Sequence, residues 1–232
     1  MNIVSTLLGI QPLSIGMVMY PSFTLLDLVG PQSVLAWAGT THLVARTMDP
    51  VTSDSGAQLV PTCTFADCPR DLDVLFVPGG FGTFDAMKDP ELLAFLADRG
   101  ARAGKITSVC SGAMILGAAG LLQGYRSTTH WAVHDTLVPF GAEPVKQRVV
   151  TDRNRISGGG VTAGIDFGLV LLAELHGEET ARLVQLMMEY DPAPPFTAGT
   201  PEQAGPALTE RALAIMAGVT PTPEATPVQS QA

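Results

Sequence analysis

Apolar residues occur along this chain in short unbroken runs, separated by Gly, Pro and polar clusters. Leu13 to Tyr20 reads LSIGMVMY, a run suited to a strand buried on both faces and closed by Pro21. Asp73 to Val77 and Ile106 to Val109 repeat the pattern, ending at Pro78-Gly79-Gly80 and at Cys110. Thr41 to Thr47 and Ala57 to Val60 predict further short strands, and Arg148 to Ser157 a hairpin turning near Asp152 to Asn154. Helical spacing covers Thr24 to Ala38, with a break expected at Gly30-Pro31. It recurs over Pro90 to Ala103, Ser111 to Leu122, His130 to Val138, Thr162 to Leu175 and Glu178 to Tyr190. Strands alternating with helices predict an α/β fold, with a mainly parallel sheet covered by helices on both faces. A single domain is expected over residues 13–218, followed by a disordered Pro- and Thr-rich tail over 219–232.

Composition narrows the function. The 232 residues are 46% hydrophobic and only 15% charged, which excludes a disordered chain. The net charge of -9 has the wrong sign for gripping nucleic acid through its phosphates. Arg46 is the first Lys or Arg, so the positive n-region of a secretory signal is not expected here. No apolar run reaches the roughly 18 residues of a membrane span. With three Cys, these features predict a cytoplasmic protein with free thiols.

One of those thiols stands in a particular setting. Ile106 to Ala113 reads ITSVCSGA, a buried strand running into Cys110, with small residues on either side and a helix beyond. Small neighbours permit the strained turn of a nucleophile elbow, which presents the side chain at the carboxyl end of a sheet. A helix N-terminus there predicts a lowered thiol pKa; a shift from about 8.5 to about 6 would raise the thiolate fraction at pH 7 from ~3% to ~90%. Cys63 and Cys68 lack this context and are expected to be packing residues.

Pro78-Gly79-Gly80-Phe81-Gly82 fails the dinucleotide spacing, because Asp85 occupies the third Gly position. Bare amides at Gly79 and Gly80 are instead expected to face a developing oxyanion. Asp27 lies among Leu25, Leu26, Leu28 and Val29, and reads equally as a helix-surface carboxylate or a functional acid. Ser111 offers a hydroxyl to the sulfur or the substrate, or simply starts a helix. His130 and His134 invite a Cys–His dyad, although a His beside Trp131 more often has a structural hydrogen bond.

Taken together, TSVCSG, VPGG and LLDLVGP make the chain resemble the ThiJ/PfpI superfamily, the class I glutamine-amidotransferase-like, flavodoxin-like α/β sandwich. The segments Phe65 to Pro69, Leu116 to Gly124, Thr128 to Trp131, Gly158 to Phe167 and Glu189 to Phe196 extend the resemblance over about residues 13–200. Among its members the resemblance is to those that hydrate isocyanides. It implies Cys110 as nucleophile, Asp27 as acid and base, and Ser111 in place of the commoner Thr, keeping the hydroxyl and losing a methyl. It maps Gly79 and Gly80 onto the oxyanion turn, and Gly159 and Val161 onto the helix start flanking the pocket. It implies a small uncharged isocyanide as substrate, a formamide as product, no metal, no organic cofactor and a homodimer. Other activities of the superfamily (amidase, glyoxalase-like enzyme, oxidative-stress sensor) use the same Cys, and some relatives are transcription regulators.

Overall fold

Charge-free runs closed by Gly or Pro become strands because both faces of the sheet are covered. The structure, a computed structural model, describes residues 3–219. In chain order the strands are β1 (Leu13–Val18), β2 (Gly39–Ala45), β3 (Val51–Thr52), β4 (Gln58–Leu59), β5 (Cys63–Thr64), β6 (Val74–Val77), β7 (Lys105–Val109), β8 (Arg126–Ser127), β9 (Glu143–Pro144), β10 (Val149–Asp152) and β11 (Arg155–Gly158). The helices are α1 (Ile3–Leu7), α2 (Leu25–Leu35), α3 (Thr83–Ala86), α4 (Pro90–Gly100), α5 (Gly112–Ala118), α6 (Ala163–His176), α7 (Glu178–Met187), α8 (Pro201–Ala204) and α9 (Pro206–Val219).

Seven strands form the main sheet in the order β10-β11-β7-β6-β1-β2-β5. All its pairings are parallel except β10 with β11, the expected hairpin, which turns through Arg153 at φ +55. Thus the mainly parallel, helix-flanked sheet expected from the sequence is the one found. The Ala57 to Val60 strand differs in place: β4 pairs with β3 in a separate ribbon.

Helix α2 runs through Gly30-Pro31 without the expected break. Pro31 removes one backbone donor but packs over Gly164 of α6, so tertiary packing outweighs the local signal. The helix expected over 130–138 is a 3-10 segment, Trp131–Phe140, kinked at Val133. Helix α5 stops at Ala118, short of the expected Leu122.

Ile15, Met17, Leu75, Phe76, Ile106 and Phe167 form the centre of the main core. A smaller cluster joins Val34 of α2 to Leu172 of α6 and Val184 of α7. Arg99 of α4, itself buried, donates to the carbonyls of Phe65, Cys68 and Pro69 at 3.0–3.2 Å and closes the loop after β5. Cys63 lies in β5 itself and Cys68 on that loop, where burial pushes the Cys68 thiol up to about 12.

The described chain divides into two compact units, with the boundary between Pro192 and Ala193. The first holds the whole sheet; the second holds α8 and α9, the former capped by Thr200. From residue 220 onward the expected disordered tail lies outside the described residues. Among the described residues, no helix is long and apolar enough to cross a membrane.

Candidate active site

Strands β1, β6, β7 and β11 lie side by side, and all point their carboxyl ends the same way. Residues just beyond those ends, Tyr20, Gly79, Cys110 and Gly159, therefore gather at one edge of the sheet. Open parallel sheets place their ligands there.

Cys110 sits between β7 and α5 at φ +56, a left-handed conformation that disfavours a side chain and stores roughly 1–3 kcal/mol. Its backbone is clamped on both sides. The Cys110 N–H donates to Gly159 O at 2.7 Å and Gly158 O at 3.1 Å, and Thr129 Oγ1 donates to Cys110 O at 2.8 Å. The small residue after the elbow is required by contact: a Cβ on Gly112 would lie 2.2 Å from the Val77 carbonyl. The strained turn that the sequence implies is present.

Asp27 stands opposite, in the first turn of α2, with 0% of its surface exposed. This removes the helix-surface reading. Its Oδ2 accepts the Gly79 N–H at 3.0 Å, while its buried Oδ1 has no well-formed hydrogen bond. Burial raises its pKa from 3.8 to about 7, against the opposing pull of the Cys110 thiol and the Gly79 amide. Asp54 adds a smaller rise through its charge. Asp54 also caps α2, accepting from Thr24 Oγ1 at 2.6 Å and from the Leu25 N–H at 3.3 Å.

The same burial corrects the expected thiol. Cys110 is 6% exposed, and burial together with the facing Asp27 pushes its pKa well above the ordinary value. The Ser111 amide and hydroxyl pull it down, but they do not prevail. Helix-end stabilisation is weaker here than desolvation beside a carboxylate. Thiol and carboxyl thus face one another, each with its pKa raised by burial.

Gly79 and Gly80 are not free oxyanion donors. The Gly79 amide is held by Asp27, and the Gly80 amide donates to Ser111 Oγ at 3.1 Å. Both amides orient side chains of the site instead. Gly159 reaches Cys110 through its carbonyl, and Val161, two residues on, is half-buried against the core. His130 uses Nδ1 to accept the Ala132 N–H at 3.3 Å, and burial lowers its pKa, so its ring is a neutral structural acceptor. His134 is buried, with its Nε2 unpartnered. Sequence reasoning missed Thr129, Asp54, Thr83 and Tyr20. Among the described residues, no group of three or more His, Cys, Asp or Glu side chains is placed to hold a metal ion.

An elbow cysteine facing a buried carboxyl at the end of a parallel sheet defines the class. Residues 14–174 match the model of the DJ-1/PfpI family, and the chain belongs to that family. Its sequence is 54% identical over 202 residues to the isonitrile hydratase of Pseudomonas putida, covering 86% of this chain and 88% of that protein. The crystal structure of a THiJ/PfpI family protein from Pseudomonas syringae superposes with a TM-score of 0.88 at 53% identity, covering 91% of this chain and 88% of that one. The HTH-type transcriptional regulator GbdR of Pseudomonas aeruginosa is 28% identical over 191 residues, which cover 78% of this chain and 52% of that protein.

Proposed function

We propose that this chain is a hydro-lyase that hydrates an isocyanide to an N-substituted formamide through a covalent Cys110 thioimidate. The observation that carries the reading is the buried Cys110–Asp27 pair, whose proton sharing suits this chemistry. Identity of 54% to an isonitrile hydratase across most of both chains supports the substrate class.

In the one-proton form, Asp27 takes the thiol proton as Sγ attacks the terminal carbon of R–N≡C. That carbon then receives the proton from Asp27, giving R–N=CH–S–Cys110. The regenerated carboxylate removes a proton from water as the water oxygen adds to the same carbon, and the proton passes to nitrogen. The tetrahedral R–NH–CH(OH)–S–Cys110 collapses with its C–S electron pair returning to sulfur. Its hydroxyl proton returns to the pair, and R–NH–CHO leaves. These steps balance without a metal or an organic cofactor. Gly79 positions Asp27, and Gly80 and Ser111 support the sulfur; Gly159 and Val161 flank the pocket. No oxyanion forms in the first addition, consistent with a site whose Gly79 and Gly80 amides are already engaged.

A homodimer is part of this reading. Leu25, Leu26 and Val29, flanking Asp27 in α2, line an open recess of about 340 Å³, and Leu26 is 39% exposed. Such an apolar patch beside a catalytic acid suits a subunit contact. The reading also places the enzyme in the cytoplasm, acting on small uncharged molecules and on neither nucleic acid nor membrane.

The test is a panel of alkyl and aryl isocyanides, with formamide followed by NMR and quenched enzyme examined by intact mass. Turnover by the wild type, its loss in Cys110→Ala, and an adduct equal to the isocyanide mass are expected. Inert isocyanides alongside consumption of an amide or a 2-oxoaldehyde would overturn the reading.

A further inference from the structure

Behind Ser111 lies a chain of hydroxyls that the mechanism above leaves unused. Thr83, 1% exposed, places Oγ1 2.7 Å from Ser111 Oγ and 2.7 Å from the carbonyl oxygen of Gly80. Tyr20, also buried, brings its hydroxyl within 3.3 Å of the same Thr83 oxygen, and donates to Pro78 O at 2.9 Å. Ser111 Oγ accepts the Gly80 N–H at 3.1 Å.

Proton counting fixes the directions. A carbonyl oxygen only accepts, so the Thr83 proton goes to Gly80 O and the Tyr20 proton to Pro78 O. Two hydroxyl oxygens 2.7 Å apart need a proton between them, and the remaining one belongs to Ser111. Ser111 therefore donates to Thr83, and its proton points away from Cys110. A second arrangement is available when the sulfur carries charge. Ser111 then donates to Sγ, Thr83 turns its proton from Gly80 O to Ser111 Oγ, and the Tyr20 hydroxyl can turn toward Thr83. Every step is a rotation about a C–O bond.

We propose that Thr83 is a positioning residue that holds the Ser111 proton away from Cys110 in the resting site and releases it to the sulfur when the thiolate forms. The role is indirect: Thr83 touches Ser111, and Ser111, next to Cys110 in the chain, acts on the thiol through its hydroxyl and amide. Thr83 competes with the sulfur for the Ser111 proton, so the thiolate gains that hydrogen bond only by drawing the proton off Thr83. The inference rests on the reading of Cys110 as nucleophile but not on the isocyanide.

The test uses iodoacetamide rather than substrate, following alkylation of the Cys110 peptide by mass spectrometry as a function of pH. In Thr83→Val the Ser111 hydroxyl loses its competing acceptor and donates to Sγ at all times. The alkylation profile should move to lower pH and the rate at pH 7 should rise roughly fivefold, the worth of one hydrogen bond. Thr83→Ser should follow the wild type. Adding Ser111→Ala to Thr83→Val should bring the profile back to that of Ser111→Ala alone. A Thr83→Val profile identical to wild type, or an effect that persists without Ser111, would overturn the proposal. If Thr83→Val does not fold, Thr83→Ala removes the same hydroxyl with less bulk, and its profile is judged by the same criteria. Wild-type protein inert toward isocyanides, with these shifts intact, would sink the substrate reading alone.

Discussion

The Gly79 amide donates to Oδ2 of Asp27 at 3.0 Å, tying the turn after β6 to the first turn of α2. The approach leaves no room for a side chain. A Cβ on Gly79 would lie 2.5 Å from the Ser111 nitrogen and 2.9 Å from that same carboxylate oxygen. The acid of the site is thus held by a backbone group, at a position where only glycine fits.

Gly79→Ala should accordingly disable the site before it unfolds the protein. Relieving those contacts moves the turn, Asp27 or Ser111, and misplacement of about 1 Å is enough to lose ~100-fold in rate. The accompanying stability loss is expected at about 1–3 kcal/mol. Steady-state kinetics with urea unfolding on the same preparation checks both. Wild-type kcat with normal stability would contradict the geometry.

Asp27→Asn should trade activity for stability. The folded pKa of about 7 exceeds the unfolded 3.8, so the group's favourable contribution is complete below pH ~4 and declines as pH rises toward 7. Above 7 it is flat. Between pH 5 and 7 the loss is about 2 × 1.36, or about 3 kcal/mol, and Asn does not share it. The variant should gain on the wild type by about that amount between pH 5 and pH 8, measured by urea unfolding. Its turnover should fall by at least ~100-fold.

A pH profile tests the shared proton. At low pH both Asp27 and Cys110 are protonated and no base is present to take the thiol proton. The kcat/KM for an isocyanide should therefore rise with pH through about 7, where Asp27 ionises. In the well-buried pair no second ionisation is expected to cut activity below pH 8, since Cys110 is held well above its ordinary range. A profile falling between pH 6 and 8 would contradict this order.

Arg99→Met tests the loop after β5, which carries Cys68. Three carbonyls, those of Phe65, Cys68 and Pro69, lose their donor while the aliphatic volume is kept. The expected cost is about 2–4 kcal/mol with catalysis little changed, since the loop holds none of the residues assigned to the reaction. Urea unfolding beside kcat separates the two effects.

Much of this site is legible in the sequence because its signals are local. Cys110 follows an apolar strand and precedes Gly112, and the elbow needs both. Asp27 is conspicuous as a lone carboxylate among leucines. Thr83, Tyr20, Thr129 and Asp54 carry no such local mark, for their roles arise only when β1, β6 and β7 align and bring distant loops together. The lowered thiol pKa fails as an expectation for the same reason: its opponent, Asp27, is 83 residues away in sequence. The break expected at Gly30-Pro31 fails because α6 offers Gly164 beneath it.

The carbonyl that receives the Cys110 N–H belongs to Gly159, just after β11, the inner strand of the hairpin at one end of the sheet. A ribosome delivers β7 some fifty residues before β11, so a nascent chain carries β7 with one long edge unpaired until residue 158 has emerged. The Cys110 turn therefore completes its hydrogen bonds late in synthesis. Its left-handed backbone acquires its restraining acceptor only once the chain is two-thirds made, and shorter fragments carry the cysteine without that acceptor.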